Sequence, residues 1–121
     1  MEKTKKNKLE NQNVVYKIDC HNCSATYIGQ TSQLLKTRTS QHKNNVRNLD
    51  KKSALANHVL DTGHTIDFTN IKILDVEPRE KIRKFSEMLN IHSHKNTLNR
   101  TDDTQLLKNT YKSFIDNIKL H

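Results

Sequence analysis

Along this chain the alternation of hydrophobic and polar positions changes period, and each change marks an element. Val14-Val15-Tyr16 with Ile18, and then Tyr27-Ile28, crowd β-branched and aromatic residues into two short runs, Asn13 to Asp19 and Ser24 to Gly29, with the turn-like His21-Asn22 between them. Such residues fit a pleated, half-buried surface, so the pair predicts an antiparallel hairpin. The period then becomes helical. Leu35, Arg38, His42 and Val46 fall at i, i+3, i+7 and i+11, on one face of a helix that Ser32 is placed to cap. Two polar side chains thus stand where an apolar stripe belongs. Ionisable groups are rarely turned towards a core unless paired or used, which makes Arg38 and His42 candidates for chemistry.

After the polar loop Arg47 to Lys52, Ser53 caps a short helix through Ala54, Leu55, Ala56, Val59 and Leu60, and Gly63 offers the positive φ that ends it. Ile66 to Val76, with Phe68, Ile71, Ile73 and Leu74, predicts a third strand. Pro78 suits the first turn of the next helix, where Ile82, Phe85 and Leu89 recur at helical spacing. A last amphipathic helix is expected within residues 102–121, since Leu107, Tyr111, Phe114, Ile115 and Ile118 make one stripe that would pack on the domain or on a partner. Residues 1–12 are lysine-rich and aperiodic and predict a flexible basic arm or linker. The expectation is an α+β domain over residues 13–101, a small three-stranded antiparallel or mixed sheet flanked by helices.

Composition narrows the function classes. The chain has 121 residues, 32% of them hydrophobic and 5% aromatic, enough for a modest core only. Lys and Arg number 21 against 13 Asp and Glu, a net charge of +8 and a pI of about 9.6. That excess calls for an anionic partner, and DNA is the expected one, met by Lys43, Arg47, Lys51 and Lys52. No apolar run nears the roughly 18 residues that would cross a bilayer, and Met1-Glu2-Lys3-Thr4-Lys5-Lys6 lacks the apolar core of a signal peptide. An intracellular, nuclear location without membrane contact is expected.

Cysteines and histidines suggest a metal. Cys20-His21-Asn22-Cys23 has the spacing that lets two thiolates reach one ion from a tight turn, and zinc wants four such ligands in a tetrahedron. His58, in the short helix, and His64, just past Gly63, can supply the other two. His21 competes as a ligand, and a disulfide or two free thiols are alternatives for the cysteines, though no thioredoxin-like βαβ context surrounds them. His92, His94 and His121 read as surface residues. Arg38 can give a forked, charge-assisted pair of hydrogen bonds to a phosphate, which lysine cannot match, and His42 shares its face. Tyr16 and Tyr27 lie on adjacent strands, where tyrosine is favoured for packing alone.

At these residues the chain resembles the GIY-YIG nuclease superfamily, and within it the endonuclease domains of Penelope-like retroelements. The first signature stands as Val14-Val15-Tyr16, the second is intact as Tyr27-Ile28-Gly29, and Gln30-Thr31 leads to the helix with Arg38-x-x-x-His42. A Cys-x-x-Cys between the signatures and paired histidines later are shared with the retroelement domains. Val14 and Val15 replace glycine and isoleucine, but only the tyrosine has a chemical role there. The likeness covers roughly Asn13 to Asn99. It implies a metal-dependent DNA endonuclease that nicks a target for insertion, with a reverse transcriptase upstream in a parent polypeptide. It further implies Tyr16 as general base or its partner, Tyr27 orienting the site, Glu87 binding Mg2+ or Mn2+, Asn99 holding the site, and structural Zn2+ on Cys20, Cys23, His58 and His64. A catalytically inactive, zinc-containing DNA-binding module on the same scaffold is the alternative.

Overall fold

The most deeply buried strand, β1 (Val14–Cys20), is the middle of the sheet, with β2 (Thr26–Thr31) on one side and β3 (Ile66–Val76) on the other, both antiparallel to it. These elements come from a computed structural model, which describes residues 7–99. The fold is α+β, a three-stranded antiparallel sheet flanked by α1 (Leu35–Arg47), α2 (Ala54–Thr62) and α3 (Glu80–Ser93). Alternation along β1 divides the core. Val14, Tyr16 and Ile18 cluster with Leu35 of α1 and Leu55 of α2, whereas Val15 joins Ile28 and Ile91 of α3.

Helix ends show where local signals suffice. Ser53 Oγ accepts from the Ala56 amide at 3.1 Å, and Gly63 closes α2 with φ of 73°. Ser32 does not cap α1, which begins three residues later with no side-chain cap. The Leu35 amide instead donates to the Asn11 carbonyl at 2.7 Å. Residues 7–12, expected to belong to a flexible arm, are thereby part of the domain: Lys8–Glu10 form a 3-10 turn, Leu9 packs on the core, and Lys8 Nζ donates to the Ile71 carbonyl at 2.8 Å. A lone apolar residue carries no periodicity, so Leu9 left no pattern to read. The helix expected over 102–121 lies outside the described residues.

α3 turns a different side inward than its Ile82, Phe85 and Leu89 spacing suggests. Arg83, Met88 and Ile91 are its buried residues, Leu89 is exposed, and Pro78 stands before the helix rather than in its first turn. Buried arginine is tolerated here because acceptors surround it: Nε donates to Gln30 Oε1 at 2.8 Å, and one terminal nitrogen donates to Asn13 Oδ1 and the Glu77 carbonyl. Past α3 the chain returns along the outer edge of β2. The Thr26 amide donates to the Asn96 carbonyl and the Leu98 amide to the Thr26 carbonyl, so this edge is covered.

Candidate active site and metal centre

Tyr16 sits in mid-β1, opposite Gly29 of β2, with no exposed surface. Its Oη lies 2.8 Å from His42 Nε2, so the helix phase that put His42 on the inner face of α1 brings it into hydrogen-bond contact with the strand tyrosine. Tyr27 completes a triangle of rings, its centroid 5.3 Å from His42 and 6.5 Å from Tyr16. Arg38 is half-buried, donates to Gln41 Oε1 at 2.8 Å, and acts on Tyr16 through charge and hydrogen bonding. Glu87, half-buried on α3, is near enough for its charge to be felt at the same phenol.

The electrostatics are dominated by burial. Desolvation pushes the Tyr16 phenol well above its ordinary range, Tyr27 adds to this, Arg38 pulls the other way, and Glu87 pushes it up further. Arg38 therefore acts in the direction expected of an activating cation, but burial outweighs it. Burial, aided by the Arg38 charge, pushes His42 down to about 4, so the imidazole is neutral at pH 7.

Asn99 plays a backbone's part. Its Nδ2 donates to the Ile28 carbonyl at 2.7 Å and its Oδ1 accepts from the Ile28 amide at 3.1 Å, extending the ladder on the outer edge of β2. Ile28 lies between Tyr27 and Gly29, so Asn99 steadies the strand that carries both. Lys43, Arg47, Lys51 and Lys52 are exposed along the second half of α1 and the loop after it, with Lys43 Nζ 5.9 Å from the Phe68 ring centroid and Arg47 donating to Asn44 Oδ1.

The four donors Cys20, Cys23, His58 and His64 meet at the hairpin tip, their ligand atoms all within 4.8 Å of one another, and can hold a metal ion such as zinc. Cys20 Sγ is 3.4 Å from both His64 Nδ1 and His58 Nε2, and Cys23 Sγ is 3.6 Å from His58 Nε2. Sulfur and nitrogen bound at about 2.3 and 2.0 Å to one tetrahedral ion stand about 3.5 Å apart, so these spacings fit the ion. The Asn22 amide donates to Cys20 Sγ and the Ala25 amide to Cys23 Sγ, contacts that orient the two sulfurs. Both cysteines are free, which removes the disulfide, and the exposed His21 is outside the cluster, its amide on the Thr65 carbonyl.

Sequence reasoning missed Thr39 and Arg83. Thr39 is buried one residue after Arg38, and among the described residues neither its Oγ1 nor His42 Nδ1 has a hydrogen-bond partner. Among the described residues no helix is long and apolar enough to cross a membrane. No family model, curated protein or solved structure matches the chain.

Proposed function

We propose that the protein is a metal-dependent DNA endonuclease of the GIY-YIG type, resembling the endonuclease domains of Penelope-like retroelements and nicking target DNA for insertion. The observation that carries this reading is the meeting of Tyr16, Tyr27 and His42 in one ring cluster where the charges of Arg38 and Glu87 are both felt. In this reading Arg38 holds the scissile phosphate and opposes the charge that gathers on it as water attacks phosphorus and the ester bond to the leaving oxygen breaks. Tyr16 passes its own phenol proton to His42 Nε2, 2.8 Å away, and so can take the proton of that water at Oη, while Tyr27 packs against both. Glu87, a half-buried carboxylate, suits a hard ion that keeps several waters. Magnesium or manganese held there would supply Lewis-acid stabilisation of the leaving oxygen.

Zinc on Cys20, Cys23, His58 and His64 would be structural, since four protein ligands leave no position for water. It would tie the hairpin tip to α2 and to the start of β3. Lys43, Arg47, Lys51 and Lys52 would meet the DNA backbone, in a nuclear setting. The test is conversion of supercoiled plasmid to the nicked form: it should require magnesium or manganese, and zinc should not replace them.

A second reading, the inactive DNA-binding module, is favoured by one observation. A phenol buried without exposed surface and pushed upward in pKa is protonated at neutral pH and is a poor base as it stands. Plasmid binding without magnesium-dependent nicking would select that reading.

A further inference from the structure

Among the described residues Arg83 is the one buried cation, 3% exposed, and it is also the only buried side chain of α3 ahead of Glu87. Its Nε donates to Gln30 Oε1 at 2.8 Å, and its Nη1 to Asn13 Oδ1 at 3.3 Å and to the carbonyls of Glu77 at 3.1 Å and Pro78 at 3.4 Å. Those acceptors belong to β2, to the residue before β1 and to the turn into α3, so one planar fork joins three separate parts of the chain. All four acceptors are neutral. Glu77 and Glu80 feel the Arg83 charge, but their carboxylates are bonded to Arg79 and Lys84. A buried charge that meets only dipoles loses its hydration without a carboxylate in return, and an apolar side chain of similar volume is often as stable or more so. Stability alone therefore does not account for an arginine here.

What Arg83 does fix is position. Asn13 has φ of 58°, a left-handed backbone that persists where its surroundings over-determine it. Its carbonyl accepts from the Glu77 amide at 2.8 Å while its side chain accepts from Arg83, so it is held on both sides. Glu87 stands at i+4 from Arg83, and residues so spaced share a helix face. Ser86, beside Glu87, ties the same turn to β3 through Oγ and Asp75 Oδ2 at 2.7 Å. The ties from Arg83 run instead towards β1 and β2, the strands that carry Tyr16 and Tyr27. We propose that Arg83 is a positioning residue whose fork locks the first turns of α3 to the two tyrosine-bearing strands and so fixes where the Glu87 carboxylate stands relative to Tyr16 and Tyr27. That Glu87 holds a divalent ion rests on the nuclease reading; the lock does not.

The experiment is a manganese titration of the full-length, zinc-loaded protein followed by electron paramagnetic resonance, with amide hydrogen exchange and chemical denaturation of the same samples. Arg83→Met fills a similar volume without charge. It should keep a denaturation midpoint near that of the wild type, weaken manganese binding by about tenfold or more, and speed amide exchange in α3. Gln30→Met, which removes the β2 acceptor and leaves α3 intact, should move manganese binding in the same direction. Arg83→Lys, a point charge on a flexible stem, should not restore it. A merely structural arginine would lower the midpoint and leave the manganese affinity of the folded protein unchanged, and that result overturns the proposal. If Arg83→Met does not fold, Gln30→Met decides, and wild-type manganese binding in it counts against the lock. Glu87→Gln is the control. If it and the wild type bind manganese alike, the nuclease reading of Glu87 fails, and exchange alone judges the lock: faster exchange in α3 at an unchanged midpoint supports it, and unchanged exchange overturns it.

Discussion

Gly29 stands directly opposite Tyr16 in the β1–β2 ladder, and a Cβ there would strike the Tyr16 hydroxyl, lie 2.6 Å from its Cζ, and come within 3.0 Å of Tyr27 Cε2. Gly29 thus leaves the space that the Tyr16 ring fills. It is a packing requirement between neighbouring strands rather than a turn.

Gly29→Ala should therefore be harmful although alanine is the smallest possible change. Overpacking of a filled site costs about 1–3 kcal/mol, and the phenol could relieve the clash only by leaving His42. Chemical denaturation should show the loss as a lower midpoint. An unchanged midpoint would mean that Tyr16 can move freely, contrary to its burial.

His42 gives the fold a pH dependence of definite sign. Its pKa is lowered from 6.5 to about 4, so the folded state binds the proton less readily than the unfolded state. The stabilisation is present above pH 6.5 and is lost as pH falls towards 4, a difference of roughly 3 kcal/mol over that window. Glu77 and Asp67, held down to about 2 by Arg79 and by Thr69 with Asn70, lose their stabilisation in a lower window. Denaturation at several pH values, wild type against His42→Gln, isolates the effect: the two curves should converge as pH drops from 6.5 to 4. Parallel curves would contradict a neutral buried imidazole.

Metal at the hairpin tip should contribute to stability, because an ion that binds only the folded state adds its binding free energy to it. Among the described residues only thirteen apolar side chains are buried, alanines and Cys20 included, so the core alone is small. A strong chelator or Cys23→Ser should each remove about 2 kcal/mol or more, lowering the thermal midpoint by roughly 8 °C or more. Metal analysis should find one zinc per chain. Purified protein without zinc, or a midpoint indifferent to chelator, would remove the structural role.

DNA affinity should fall steeply with salt, since each phosphate neutralised adds about −0.9 to the slope of log affinity against log salt. Lys52→Ala should weaken binding across unrelated sequences and reduce that slope by about 1, as should Arg47→Ala. Fluorescence anisotropy over a salt series checks this. A variant with reduced affinity and an unchanged slope would place these side chains away from phosphate.

What could be read from the residues divides along the range of the interactions concerned. The hairpin, the span of β3 and both ends of α2 follow from period, β-branching and caps, signals that lie within a few residues of the element they define. Cys20, Cys23, His58 and His64 were legible as chemistry, and only the fold could bring positions so far apart in sequence to one point. The misses depend on partners far along the chain. α1 is started by the Asn11 carbonyl and not by Ser32, and Arg83 is buried because Gln30 and Asn13 accept from it. None of these partnerships leaves a trace in local periodicity. Thr39 is the plainest case: it is an ordinary helix residue by propensity, yet it is buried, and among the described residues its hydroxyl has no hydrogen-bond partner.

The central claim is that Glu87 works with Tyr16 and Arg38 in magnesium-dependent cleavage, and one paired measurement tests it most directly. Plasmid nicking in magnesium and DNA binding in chelator are measured for the wild type, Glu87→Gln and Arg38→Ala. Removing the carboxylate should abolish nicking while binding is kept or strengthened, because without its ion the carboxylate repels phosphate. Arg38→Ala should lose nicking together with part of the affinity. A Glu87→Gln protein that nicks DNA at the wild-type rate would contradict the account.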